Sequence, residues 1–167
     1  GFIAFKGLDG ADTTTQAQLL VDHLQKSKKA EFTFEPTEMP TGKVIRQLLA
    51  RHVTIDPATM AYLFAADRNE HLFNPTNGIV QRLQDNTTVV CDRYVFSSLA
   101  YQGSEVPLEL VESLNSRFPL PEHLVFIDVP VEVAESRRQT RLLDEERYEH
   151  RQFQSQVFSR YAELLDA

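Results

Sequence analysis

Four short apolar runs, each ending at a charged or turn residue, set what this chain can fold into. They are Phe2-Ile3-Ala4-Phe5, Phe32-Thr33-Phe34, Thr88-Val89-Val90-Cys91 and Leu124-Val125-Phe126-Ile127. β-Branched and aromatic side chains fill them without polar alternation, which suits strands buried on both faces of a parallel sheet. Helical patterns occupy the intervals. Over 16–24, Leu19, Leu20 and Leu24 share one face; Val44, Ile45, Leu48 and Leu49 form a second stripe opened by Pro40 and Gly42. The stretch 57–83 is long, with Asp56 a good N-cap and Pro57 at the first helical position, and Pro75 should kink or split it. Patterns at 108–114, 131–140 and 148–165 complete the set. Strands alternating with helices predict an α/β fold, a parallel sheet with helices on both faces and right-handed crossovers. No repeat or flexible linker divides the chain, so 1–167 reads as a single domain. Ligands in such sheets bind at the carboxyl ends of the strands.

Composition narrows the partners. With 24 acidic against 17 basic residues, the net charge of −7 argues against nucleic acid, which needs a basic face. No apolar run approaches the roughly 20 residues of a membrane span. The single cysteine, Cys91, excludes an internal disulfide and fits a reducing, intracellular setting. All five lysines lie at or before Lys43, so every later permanent positive charge is an arginine. Arginine suits planar, bidentate recognition of phosphate.

After the first run comes Gly7-Leu8-Asp9-Gly10-Ala11-Asp12-Thr13-Thr14-Thr15 and then a helix. A strand, a Gly-containing loop and a helix form the context of a phosphate-binding P-loop. Against G-x-x-x-x-G-K-[ST], Gly7 and Thr14 match, whereas Asp12 replaces the second glycine and Thr13 the lysine. The second glycine lets backbone N–H groups approach phosphate in a conformation costly to other residues, and aspartate tolerates it better than most. Its carboxylate, however, would repel a phosphate about 4 Å away by about 4 kcal/mol at an effective dielectric of 20 unless magnesium lies between them. Thr13 can offer only a neutral hydrogen bond where lysine offsets charge. The helix N-terminus, the backbone amides and a Thr14 hydroxyl for magnesium remain.

With these blocks in place, the sequence resembles the thymidylate kinases. Gly-Leu-Asp-Gly-Ala at 7–11 and Thr-Thr-Gln at 14–16 look like their phosphate loop, and Phe34-Glu35-Pro36-Thr37 is similar to their second signature. Leu63-Phe64-Ala65-Ala66-Asp67-Arg68 with Glu70-His71 resembles their nucleoside-holding helix. Cys91-Asp92-Arg93-Tyr94 followed by Ser97-Ser98-Leu99-Ala100-Tyr101-Gln102-Gly103 is the most specific block. Ile127-Asp128-Val129-Pro130 with Val133-Ala134 resembles the family's fourth strand and next helix, and Arg137, Arg138 and Arg141 with Glu146-Arg147-Tyr148-Glu149 its lid, at about 137–149.

The resemblance implies a P-loop NTPase fold and transfer of the γ-phosphoryl group of ATP to thymidine monophosphate (dTMP), giving dTDP for dTTP biosynthesis. Residues 7–15 and Arg138 would hold ATP, and Thr14 and Asp92 the magnesium. Phe64 would stack on thymine, Arg68 bond its edge and Phe34 flank the nucleoside. Ser97, Tyr101 and Gln102 would line the pocket, with Tyr101 crowding the place of a ribose 2′-hydroxyl. Asp9 would sit between donor and acceptor phosphates, Arg93 would grip the acceptor phosphate, and Tyr148 would close over it. A homodimer is implied by the resemblance alone. Thymidylate kinases usually carry one more strand and helix after the lid helix, so the expectation is a sheet lacking that last strand, through truncation or a differently built adenine pocket.

Plainer readings exist for the same residues. Phe64 alone would be core, Arg93 could pair with Asp92 or Asp128, and the arginines at 137–141 could be a solvated helix face beside Glu145, Glu146 and Glu149. The five histidines show no metal-ligand spacing, and Cys91 reads as an inert buried thiol. For the missing loop lysine the replacements are Arg138 or Arg141 from the lid, Lys6, or nothing. The lid arginine is favoured, with Asp9, Arg93 and Arg141 as the catalytic set. The alternative function is a thymidylate-kinase-like protein that binds nucleotide with little or no turnover. A further variant, another nucleoside monophosphate as acceptor, is opposed by Phe64, Arg68 and Tyr101.

Overall fold

The computed structural model describes residues 1–8, 11–51, 53–137 and 159. Strands β1 (Phe2–Lys6), β2 (Ala30–Phe34), β3 (Thr88–Asp92) and β4 (His123–Phe126) lie parallel in the order β2-β3-β1-β4. Each contains one of the apolar runs, in whole or in large part. Helices α1 (Thr13–Leu24), α2 (Pro40–Ala50), α3 (Pro57–Phe73), α4 (Ile79–Gln84), α5 (Val95–Tyr101), α6 (Leu108–Asn115) and α7 (Val131–Arg137) form the connections, with a short 3-10 turn at Gln102–Ser104 after α5.

Alternation along the strands divides the core between the two faces. Phe5 and Val90 pack on Ala17 and Val21 of α1. Phe2, Ala4, Val89 and Cys91 point the other way, against Ala65 and Leu72 of α3 and against Tyr94 and Val95. β3 is buried throughout, as the expected two-sided burial requires. β2 and β4 are only half-buried, because each is an outer strand of the described sheet.

The long helical stretch divides as Pro75 predicts. Asp56 Oδ1 accepts from Ala58 N at 3.0 Å and Thr59 N at 3.2 Å, opening α3 with Pro57 in its first turn. At the far end Asn74 Oδ1 accepts from Thr76 N and Asn77 N, and α4 starts after Gly78. Helix α5 has no counterpart in the helical patterns of the sequence. It is seven residues long and carries two serines, so it shows little periodicity of its own.

A polar latch joins the end of β2 to α3. Asp67 in α3 accepts from Thr37 N at 2.8 Å, Thr37 Oγ1 at 2.6 Å and Thr41 Oγ1 at 2.7 Å. These bonds hold the segment between β2 and α2 against α3. Gly42 makes the fit possible: a Cβ there would lie 2.0 Å from the Thr37 carbonyl oxygen.

Candidate functional site

The loop after β1 keeps part of the phosphate-loop geometry. Ala11 N donates to Leu8 O at 2.9 Å, and both side chains are buried. Asp12 takes the left-handed conformation, φ 72° and ψ 28°, so the position normally given to glycine does need a glycine-like backbone. Thr13 opens α1 with its side chain buried, its methyl 3.0 Å from where a Cβ on Gly7 would lie. Thr15 is exposed on α1. Asp9 and Gly10 lie outside the described residues.

At the end of β3, Thr14 Oγ1 donates to Asp92 Oδ2 at 2.5 Å. The other oxygen, Oδ1, is buried without a hydrogen-bond partner among the described residues. Lys6 is buried at the end of β1. Its Nζ lies 4.6 Å from the Phe96 ring centre and 5.4 Å from that of Phe126, and burial lowers its pKa to about 8. The ammonium therefore rests between two rings near the sheet.

Beyond these groups opens a cavity of about 590 Å³. Phe64, Arg68, Arg93, Ser97, Tyr101 and Gln102 line it, bringing together six of the residues expected to hold a nucleotide. Phe64 and Arg68 reach it from one face of α3, as their spacing of four predicts. Arg93 follows β3 in a left-handed conformation, φ 69°, with its guanidinium 5.3 Å from the Tyr101 ring centre. Phe34 does not line the cavity; its ring lies under the Arg46 guanidinium at 5.1 Å, and Glu35 and Pro36 beside it form the wall instead. Both residues follow the end of β2 at Phe34. Arg138, Arg141 and Tyr148 lie outside the described residues.

A buried polar network supports the cavity floor. Arg68 is 1% exposed. Its Nε donates to Glu35 Oε2 at 2.9 Å, and Nη2 lies 2.7 Å from the same oxygen. Nη2 also donates to Ser98 Oγ at 3.1 Å, and Nη1 donates to Asn115 Oδ1. Tyr94 lies beside the guanidinium, 5.3 Å from ring centre to Cζ, and donates its hydroxyl to Pro119 O at 2.7 Å. Burial holds that phenol far above its ordinary pKa. Glu35 Oε1 meets His71 Nδ1 at 3.0 Å, and His71 Nε2 meets Thr33 Oγ1 at 2.6 Å. Glu35, His71 and Cys91 bring ligand-type atoms within 4.8 Å of one another. The carboxylate and the imidazole are already paired, the Cys91 thiol donates to Arg93 O, and burial pushes its pKa well up. The cluster is a satisfied core network, as expected for an inert Cys91.

Several contributors carry no readable signal in the sequence. Glu35 stands inside a signature block that gives it no role, and Ser98 and Asn115 have none either. Leu48, Leu49, Val53, Ile55 and Met60 build an apolar wall that no motif announces. Glu105 also faces the cavity, where burial raises its carboxyl pKa.

The family model described as "Thymidylate kinase" matches residues 5–167. A protein of Treponema pallidum named "Putative thymidylate kinase" is 42% identical over 164 residues, covering 98% of this chain and 78% of that protein. The "Probable thymidylate kinase" of Methanocaldococcus jannaschii is 38% identical over 167 residues, covering 99% of this chain and 81% of its own length. That of Methanococcus maripaludis is 36% identical over the same number of residues, covering 99% of this chain and 78% of its own length.

Proposed function

The chain belongs to the thymidylate kinase family, and from that premise we propose how its residues divide the work of moving the γ-phosphoryl group of ATP to dTMP. The observation that carries the division is the convergence of Arg68 and Arg93 on one largely apolar cavity beside Phe64. An uncharged base suits the Phe64 and Arg68 end, through stacking and a hydrogen bond. The acceptor phosphate suits Arg93. Ser97, Tyr101 and Gln102 complete the nucleoside pocket, and Phe34 acts from behind by carrying Glu35 and Pro36.

Phosphoryl transfer needs positioning and charge neutralisation more than covalent help. On the donor side, the loop 7–15 offers backbone amides and the first turn of α1. Thr14 and Asp92 fit a magnesium ion: a hydroxyl and a carboxylate with one unpartnered buried oxygen are the hard oxygen donors such an ion prefers. When bound, it shields the charge of the polyphosphate. Asp9 is assigned to the space between donor and acceptor, and Arg138, Arg141 and Tyr148 to a lid over about 137–149 within a single kinase domain.

A homodimer and a cytoplasmic location belong to the same proposal. Tyr62 and Phe73 are exposed on α3, eleven residues and about three turns apart, as an association face requires. Among the described residues no helix is long and apolar enough to cross a membrane.

The test mixes the protein with ATP, magnesium and dTMP and follows dTDP formation, with the other nucleoside monophosphates in parallel. dTDP formation with dTMP preferred is the expected result. Tight dTMP binding without dTDP would overturn turnover and leave a nucleotide-binding protein.

A further inference from the structure

Arg68 has five N–H donors, and most are committed before any ligand arrives. Nε and Nη2 face one oxygen of Glu35, Nη2 also serves Ser98, and Nη1 serves Asn115. The orientation of Asn115 is itself set, because its Nδ2 donates to Val111 O at 2.8 Å. That bond leaves its carbonyl oxygen for Arg68. Tyr94 covers the guanidinium from one side. Among the described residues, only Nη1 keeps an N–H with no partner assigned, on a side chain that lines the cavity.

We propose that Glu35, helped by Ser98 and Asn115, is a positioning residue that turns Arg68 into a fixed single donor and so selects the base. Left to itself, an arginine at a cavity wall presents a flexible fork of donors and a full positive charge. It would accept many acceptor geometries and favour anions. Glu35 neutralises the charge and takes Nε and one N–H of Nη2. Ser98 and Asn115 take two more, and one N–H of Nη1 is left for the base. A pyrimidine carbonyl accepts from that N–H. An exocyclic amino group in its place sets donor against donor, leaving both unpaired in a buried site, the arrangement that gives strong discrimination. The device therefore favours a 4-oxo over a 4-amino pyrimidine. Glu35 itself is held by His71 on its other oxygen, while Asp67 pins Thr37 two residues along. Neighbouring residues of α3 thus hold the base reader and the segment that carries its counter-ion. The inference rests on the reading in which Arg68 faces the base.

The test measures kcat and KM for dTMP and dCMP, with thermal unfolding of each variant. Glu35→Gln should raise the KM for dTMP about tenfold while kcat changes less than about threefold. It should also lower the dTMP-over-dCMP ratio of kcat/KM at least tenfold. Glu35→Asp, which restores the charge on a shorter arm, should recover part of that ratio. Ser98→Ala, which removes one bond to the guanidinium, should shift KM and ratio the same way by about threefold. If Glu35→Gln does not fold, Ser98→Ala decides, and unchanged selectivity there overturns the proposal. Arg68→Lys separates the two levels. A ratio unchanged by Arg68→Lys would mean Arg68 does not read the base, and the underlying assignment fails. A ratio that collapses in Arg68→Lys but survives in a folded Glu35→Gln overturns the positioning role alone.

Discussion

Arg68 and Thr13 are both buried polar side chains near the carboxyl edge of the sheet, 1% and 6% exposed, and their surroundings differ completely. Around Arg68 the chain supplies a counter-ion, a hydroxyl, an amide and an aromatic face before any ligand binds. Around Thr13 it supplies the close approach of Gly7 to a small side chain, where the P-loop pattern places a long cation. Burying a guanidinium without partners would cost several kcal/mol, whereas burying a threonine costs little. The acceptor side is thus preorganised by this chain's own charges. In the proposed division of work, the donor side relies on backbone amides, a magnesium site and cations brought from elsewhere.

That contrast breaks first at the arginines assigned to phosphate. In the proposed mechanism Arg141 supplies the charge that Thr13 lacks, and a cation aimed at the transferring group is worth about 10³-fold or more in rate. Arg141→Ala should therefore lower kcat by about 10³, with dTMP affinity, measured by calorimetry, within a few-fold of the unaltered protein. Arg93→Ala should damage both affinity and turnover, because it faces the acceptor. Wild-type turnover in Arg141→Ala would remove the lid from the mechanism.

The next effect is a gain. Converting the loop to its ordinary chemistry, Asp12→Gly with Thr13→Lys, removes a carboxylate from the phosphate path and adds a cation. Turnover should rise about tenfold, and the KM for ATP should fall, while the KM for dTMP stays constant. Unchanged kinetics would mean that the loop as it stands already meets the need. A silent unaltered chain beside an active double variant would mean that the loop no longer supports catalysis.

How far each region is legible in the sequence follows the same division. The strands are legible because burial on two faces leaves a continuous apolar run, and Asp56-Pro57 and Pro75 mark backbone events that few other residues produce. Phe64 and Arg68 are legible as a pair because helical spacing alone puts them on one face. The role of Glu35 is not. It depends on meeting Arg68 across 33 positions, and Arg68 in turn meets Asn115 across a further 47; side-chain pairing at that range leaves no local pattern. The apolar wall from Leu48 to Met60 is hidden for the same reason: its residues look like ordinary core until the fold turns them toward an opening. Phe34 is not among the residues lining the cavity, whereas Glu35 and Pro36, just past the end of β2, are.

A smaller prediction tests the mounting of the acceptor side. Gly42 has no room for a Cβ, which would meet the Thr37 carbonyl oxygen at 2.0 Å and the Thr37 amide nitrogen at 2.5 Å. Gly42→Ala must push the segment carrying Glu35 away from α3, straining the three bonds to Asp67. A loss of about 2 kcal/mol, or roughly 4–8 °C in the melting temperature of a chain this size, is expected. The KM for dTMP should rise a few-fold with kcat nearly unchanged. A normal melting temperature with a normal KM would show that this segment moves freely and that the acceptor side is less rigid than its bonds suggest.

Lys6 lies between the two regions and gives the finest discrimination. It is the nearest lysine to the phosphate loop, yet its ammonium rests against Phe96 and Phe126, and burial lowers its pKa from 10.5 to about 8. A lowered lysine pKa means that the folded state disfavours the charge. Below pH 8 the side chain is protonated in both folded and unfolded chains, and the cost of burial is fully present. As pH rises from about 8 to 10.5 the folded protein gives up the proton first, so this group adds stability across that window. A shift of that size recovers at most about 3 kcal/mol across the window. Denaturation between pH 7 and 10 should show this rise in the unaltered protein, and Lys6→Met should flatten it while stabilising the fold at neutral pH. Turnover in Lys6→Met should stay within about twofold. A collapse of kcat with the fold intact would instead make Lys6 the cation that replaces the loop lysine, and the donor side would then carry its own charge as the acceptor side does.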